Sequence, residues 1–190
     1  MATNLEIEFK NMLTEVEYNR LLQEFDINEE QIWLQKNVYF DTKNSDLKHK
    51  EAALRVRVKN NTYELTLKTK KEIGLLETNQ SITKTEYKAL KYDQIFVKGP
   101  ILDALLELGI DVNHLHVITD LATKRAEVAY EGGVLVLDKS FYGEIIDYEL
   151  EYEVSDFEDG KQIFEKFLKK HRIERRPAKN KIRRAMEAMS

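Results

Sequence analysis

The sequence predicts one α+β domain, spanning residues 1–190, with about eight strands. Three observations carry that reading. Short segments alternate apolar and charged residues with the period of two that a half-buried strand imposes. Turn residues, Asn60-Asn61 and Gly132-Gly133, separate such segments. Capping boxes and helical spacing mark a smaller number of helices between and after them.

Leu5 to Lys10 alternates as a strand does. Thr14-Glu15-Val16-Glu17 has the form of a capping box and opens a helix through Leu21, Leu22 and Phe25. Ile32, Leu34, Val38 and Phe40 share one face of a long extended segment. Leu54, Val56 and Val58 do the same on the next strand, and Tyr63, Leu65 and Leu67 on the one after, across the Asn60-Asn61 hairpin turn. Leu75-Leu76 begins another short strand. Thr83-Lys84-Thr85-Glu86 is a second capping box, and a helix follows Pro100 through Leu108. Extended segments then run from about Val117 to Tyr130, from Val134 to Lys139 and from Asp147 to Val154. Helices close the chain, from about Asp156 to Lys170 and from Pro177 to Met189. No linker, low-complexity tract or short repeat interrupts this order, and two related halves are compatible with it.

Composition excludes several classes. A chain of 190 residues can bury a proper core. With 42% hydrophobic and 34% charged residues it is globular but charge-rich. A net charge of −4 argues against a nucleic-acid coat or a polybasic membrane binder. The lack of cysteine removes disulfide scaffolds, thiol nucleophiles and cysteine zinc sites together. Met1 to Glu6 reaches an acid before an apolar run forms, so no signal peptide is expected. No stretch approaches the roughly 18 apolar residues of a membrane span. The expectation is a soluble cytoplasmic protein. Gly132-Gly133 is not followed by lysine and a hydroxyl residue, so it is no Walker A loop. His49, His114, His116 and His171 are scattered, and Trp33, Tyr39 and Phe40 read as core and strand residues.

The polar strand faces hold the functional information. Side chains at i and i+2 share a face, which groups Glu6 with Glu8 and Lys10, Arg55 with Arg57, Glu64 with Lys68, and Arg125 with Glu127. It also lines up Glu149, Glu151 and Glu153, while Asp138 lies opposite Leu137. Solvation accounts for any one such face, since antiparallel sheets often keep one wet side. The set is harder to account for that way. Like charges at i and i+2 stand about 7 Å apart and repel, more strongly where water is restricted. Segregated acids and bases suit a ligand that presents anionic oxygens to the bases and metal ions to the acids. A magnesium-bound polyphosphate does both, because Mg²⁺ takes carboxylate oxygens and arginine forks match phosphate. The run from Arg172 to Arg184 is a further basic cluster. It also reads as a solvated helix with Ile182, Ala185, Met186 and Met189 packed inward.

At this point the residues resemble a family. Glu6-Ile7-Glu8-Phe9-Lys10 is similar to the ExExK signature of the CYTH superfamily, the triphosphate tunnel metalloenzymes. Later matches follow in the family's order: Leu54-Arg55-Val56-Arg57, Leu65-Thr66-Leu67-Lys68, Lys124-Arg125-Ala126-Glu127, Leu137-Asp138, Tyr148-Glu149-Leu150-Glu151 and Lys181-Ile182-Arg183-Arg184. The resemblance spans Glu6 to Arg184 and looks closest to small bacterial members. It implies an eight-stranded antiparallel β-barrel with charged side chains inside, helices packed outside and a C-terminal helix at one mouth. It implies metal-binding and catalytic carboxylates at Glu6, Glu8, Glu149 and Glu151, with Asp138 as helper. Arg55, Arg57, Lys68 and Arg125 then resemble triphosphate-binding bases. Lys10 would orient phosphate or the attacking water, and Lys181 and Arg184 would seal one end. The family's serine before that lysine is Asn180 here. Glu86 and Glu153 fit the pattern less closely and are given no role.

What the resemblance implies is hydrolysis of inorganic, thiamine or nucleoside triphosphate with Mg²⁺ or Mn²⁺, in a mechanism compatible with two metals. A triphosphate carries about four negative charges, which bases and metals must offset before a nucleophile approaches. Two alternatives stay open: an adenylate cyclase forming cyclic AMP and pyrophosphate, and a non-catalytic polyphosphate or nucleotide binder. Four carboxylates would repel a merely bound phosphate, which counts against the binder. The expected partner is a small-molecule triphosphate or nucleotide, not a membrane or nucleic acid, and a homodimer is left open.

Overall fold

Among the described residues, 2–188 of this computed structural model, eight strands are interspersed with six α-helices. They are β1 (Ala2–Leu13), α1 (Glu15–Glu24), β2 (Trp33–Asp41), α2 (Asp46–His49), β3 (Ala52–Lys59), β4 (Thr62–Lys70) and β5 (Leu75–Ile82). Then come α3 (Lys84–Lys88), α4 (Pro100–Glu107), β6 (His116–Tyr130), β7 (Gly133–Tyr142), β8 (Ile145–Val154), α5 (Phe157–Lys170) and α6 (Lys181–Ala188). The strands close into an antiparallel barrel in the order β1-β5-β4-β3-β2-β6-β7-β8. No helix among the described residues is long and apolar enough to cross a membrane. The chain groups into two compact units, one centred on Gln35–Asp120 and the other on Glu6–Leu34 with Leu121 onward.

In the first unit, β3, β4 and β5 form a hairpin series. Asn60 and Asn61 both take positive φ, at 46° and 60°, which the hairpin turn requires and asparagine tolerates. The register sets Val56 opposite Leu65 and Leu54 opposite Leu67. These four, with Val38 and Phe40 of β2, pack against Leu90, Ile101 and Leu105 from the helical segment. The Thr83–Glu86 capping box starts α3, with Thr83 accepting from the Glu86 N–H while Glu86 accepts from the Thr83 N–H. Glu86 is thereby engaged in helix initiation. Asp41 starts α2 by accepting hydrogen bonds from the Leu47 and Lys48 amides at 2.9 and 3.2 Å. Leu34 shares the face of Val38 and Phe40 but is 58% exposed, because the β2–β3 ladder covers only Lys36–Phe40.

In the second unit, Leu135 and Leu137 of β7 and Leu150 and Tyr152 of β8 pack against Tyr18 and Leu21 of α1 and Phe164, Phe167 and Leu168 of α5. The Thr14–Glu17 box caps α1, and Asp156 caps α5. Gly160 allows α5 its close approach: a Cβ there would lie 2.6 Å from Val154 Cγ2 and 3.0 Å from Phe9 Cε2.

The last helix starts at Lys181, not at Pro177. Residues 174–176 are instead tied to β1, where the Met12 amide donates to the Arg176 carbonyl at 2.8 Å. That long-range pairing overrides a local helical pattern. Ala185 is fully buried and Met186 partly exposed, while Met189 lies outside the described residues. Phe164→Ala should destabilise the protein by about 3–5 kcal/mol, seen as a lower urea midpoint at unchanged m-value, because its ring is fully buried between α5 and the sheet.

Candidate active site

Alternation sorts each strand into an apolar face under the helices and a charged face opposite. In the first unit the charged face carries the three expected bases Arg55, Arg57 and Lys68. Cross-strand register puts Glu77 of β5 opposite Lys68 and Asn37 of β2 opposite Arg57. Lys68 Nζ lies 2.9 Å from Glu77 Oε2. Arg57 Nε donates to Asn37 Oδ1 at 3.3 Å. Asn79 donates to Glu77 Oε1 at 2.8 Å and accepts from the Thr66 hydroxyl at 2.7 Å. Burial opposes ionisation of Glu77, but Lys68 and Arg55 outweigh it and pull the carboxyl down to about 2.

In the second unit the register of β1 against β8 sets Glu8 opposite Glu153 and Lys10 opposite Glu151. Arg125 of β6 lies opposite Asp138 of β7, which lies opposite Glu149. The result is a dense ionic network. Arg125 makes a two-pronged contact with Asp138 at 2.8 and 2.7 Å and reaches Glu151 at 2.8 Å. Lys181, arriving from α6, places Nζ 2.6 Å from Glu151, 2.9 Å from Asp138 and 3.2 Å from Glu149. Lys10 Nζ is 2.8 Å from Glu8 and 3.3 Å from Glu151. Arg184 bonds to Glu149 and Asp147, and Asp147 also accepts from the Tyr142 hydroxyl.

Burial works against the charges of Asp138, Glu151, Lys10, Arg125 and Lys181, and opposite charges overcome it, whereas at Asp147 burial outweighs Arg184 and raises the carboxyl. Arg125 and Lys181 hold Asp138 below its ordinary value, and Lys10, Lys181 and Arg125 hold Glu151 well below its own. The bases Lys10, Arg125 and Lys181 are raised in turn. At the β1–β8 edge the balance reverses. Among the described residues, Glu6, Glu8 and Glu153 form the one group of three carboxylates whose oxygens all lie within 4.8 Å of one another. Burial raises Glu153 against the pull of Arg125, its acidic neighbours Glu151, Glu6 and Glu8 raise it further, and the carboxyl sits at about 7.

This architecture is matched by one family description: the CYTH domain, over residues 4–186. The chain belongs to the CYTH family. It is 43% identical over 187 residues to YjbK of Bacillus subtilis (strain 168), a protein to which triphosphatase activity is ascribed, covering 98% of this chain and 97% of that one. A crystal structure from Bacillus halodurans, of a protein ascribed adenylate cyclase activity, superposes with a TM-score of 0.93 at 40% identity, covering 97% of this chain and 98% of the other. HpAC1 from Hippeastrum, described as having a dominant triphosphatase activity, shares the fold with a TM-score of 0.80 at 24% identity, over 98% of this chain and 97% of that one.

Within this CYTH chain, Glu6 and Glu8 stand with Glu153, whereas Asp138, Glu149 and Glu151 gather around Lys181 and Arg125. Sequence reasoning left Glu153 without a role, although it continues the i, i+2 row of Glu149 and Glu151. The same row runs back to Asp147, which holds Arg184. Glu77 went unnoticed because a single acid among bases breaks no local pattern. The histidines stay outside these networks: His114 pairs with Asp111 on an exposed turn and His171 with Glu24.

The Glu77 carboxyl has a folded pKa near 2 against an ordinary 4.5. Its contribution to stability is present above pH 4.5 and is lost as pH falls toward 2. Glu77→Gln should therefore lower the unfolding free energy by about 2 kcal/mol at pH 7, allowing for solvent screening, with the gap to wild type closing as acid titrates the carboxylate. Urea titrations across that range check it.

Proposed function

We propose that this chain hydrolyses a small-molecule triphosphate with the help of divalent metal ions. The observation that carries the reading is the juxtaposition of the Glu6–Glu8–Glu153 carboxylates with a bank of cations, Lys10, Arg125, Lys181 and Arg184, on one charged face.

The residues fit a hard divalent ion. Glu6, Glu8 and Glu153 supply only carboxylate oxygens, and their mutual repulsion is what a bound cation relieves. Glu149 Oε1 and Asp147 Oδ1 are buried and accept no hydrogen bond among the described residues, so they too suit a cation or a ligand donor. When bound, Mg²⁺ or Mn²⁺ supplies charge neutralisation and acidifies a coordinated water. Glu6, Glu8 and Glu153 would hold one such ion, with Glu149, Glu151 and Asp138 available to a second.

The chain's own groups do the rest. Lys10, kept cationic by Glu151 and Glu8, orients a phosphate oxygen or the attacking water. Arg55, Arg57, Lys68 and Arg125 bind the remaining phosphate oxygens, with arginine forks matching their geometry. Lys181 and Arg184 can exchange carboxylate partners for phosphate ones, which would release Glu149 and Glu151 toward a metal. Pre-placed charge of this kind stabilises the transition state without reorganising at the moment of reaction. The family match runs through both compact units, which supports one functional domain. The lack of cysteine and the mild net charge of −4 support a cytoplasmic enzyme acting on small molecules over one acting on nucleic acid.

A second reading, adenylate cyclase, is favoured by the activity ascribed to the Bacillus halodurans relative at 40% identity. Hydrolysis is preferred because it needs only a positioned water. Cyclisation needs recognition of the base and alignment of the ribose hydroxyl as well.

The test is phosphate release from tripolyphosphate, thiamine triphosphate and ATP with Mg²⁺, Mn²⁺ or chelator, with cyclic AMP assayed alongside. Release should require metal, and Glu6→Gln, Glu149→Gln and Glu153→Gln should each lower kcat by about 100-fold or more. Cyclic AMP without phosphate release would establish the cyclase. Tight tripolyphosphate binding without either product would leave a binding module.

A further inference from the structure

Asn11 is a polar residue on the apolar face of β1, between Phe9 and Leu13, and it is completely buried. Such a side chain is costly unless every hydrogen-bonding group is satisfied. Here all are used. Nδ2 donates to the Met12 and Glu174 carbonyls, both at 2.9 Å. Oδ1 accepts from the Arg176 amide at 2.7 Å and from Arg175 Nη1 at 3.1 Å. Only an amide offers donors and an acceptor in that arrangement. A second tie supports it: Arg176 grips Glu17 through two bonds of 2.8 and 3.0 Å.

Beyond this anchor the chain runs through Pro177, whose ring fixes φ, to α6. Four residues lie between Arg176 and Lys181, whose ammonium must meet three carboxylates within 3.2 Å. The Arg184 guanidinium also donates to the Lys179 carbonyl at 3.0 Å. A shift of about 1 Å at the anchor is enough to break such a geometry.

We propose that Asn11 is a positioning residue: by fastening Glu174–Arg176 to β1 it sets where Lys181 and Arg184 enter the acidic face, and it affects triphosphate binding and turnover only through them. The proposal rests on the triphosphate reading above.

The experiment combines amide exchange with a mutant cycle on tripolyphosphate and Mg²⁺. In Asn11→Ala, exchange across residues 177–188 should rise about tenfold, while kcat/KM measured well below the melting temperature falls about 10- to 100-fold. In a Lys181→Ala/Arg184→Ala background the same substitution should change kcat/KM by less than about twofold, since the groups through which it acts are gone. A purely structural role predicts a lower melting temperature with losses that multiply. Unchanged exchange in 177–188, or multiplying losses, would overturn the proposal. If Asn11→Ala fails to fold, Arg176→Met loosens the same segment from the protein surface and should show the same cycle at smaller amplitude. A wild type that binds tripolyphosphate without cleaving it would overturn the hydrolytic reading alone, and the cycle is then read on the dissociation constant. A wild type that does neither overturns both.

Discussion

Asp138, Glu149 and Glu151 are buried as charges, at 0%, 0% and 3% exposure. An isolated carboxylate in such a place would cost several kcal/mol or take up a proton. Arg125 from β6 and Lys181 from α6, joined at Glu151 by Lys10, keep Asp138 and Glu151 ionised, so a barrel strand and a C-terminal helix must both be in place. Much of the second unit follows from that demand. The segment before α6 has to be anchored, and β1 anchors it through a buried amide instead of an apolar side chain. α1 contributes Glu17 to the same anchor while Glu17 also completes the cap at Thr14. Helix initiation and site geometry therefore share a residue.

The two compact units show the same electrostatic rule with opposite sign. In one, a lone acid among bases is pulled down to about 2; in the other, an acid beside acids is pushed up to about 7. Neither value follows from burial alone, since burial raises both. The local surplus decides. A surplus of carboxylate at Glu6, Glu8 and Glu153 is the state that a divalent cation corrects, and a surplus of base around Arg55 and Lys68 is the state that an anion corrects.

What could be read from the residues was whatever local chemistry determines. Both capping boxes, the Asn60-Asn61 turn and the alternation that separates charged from apolar faces are consequences of neighbours in sequence. Short α2 was invisible because its start depends on Asp41, several residues away, and four residues carry no period. The onset of α6 was misplaced because pairing of 174–176 with β1 is non-local. In the site, spacing alone set Glu149, Glu151 and Glu153 on one face. It did not say which of them meets Glu6 and Glu8. That depends on the β1–β8 register, and a slip by one residue would turn every side chain to the other face.

The relatives' divided names follow from the same physics. Whether water attacks the terminal phosphorus or a ribose hydroxyl attacks the α-phosphorus, the developing charge lies on phosphate oxygens, and the groups that offset it are the same. Discrimination must then come from groups that fix the nucleophile and the non-phosphate part of the substrate. Lys10 is the one base on the Glu6–Glu8 strand face, 2.8 Å from Glu8 and 3.3 Å from Glu151, and it joins the carboxylate trio to the buried network. The charge constellation is what hydrolysis and cyclisation of a triphosphate have in common, so it does not by itself separate them.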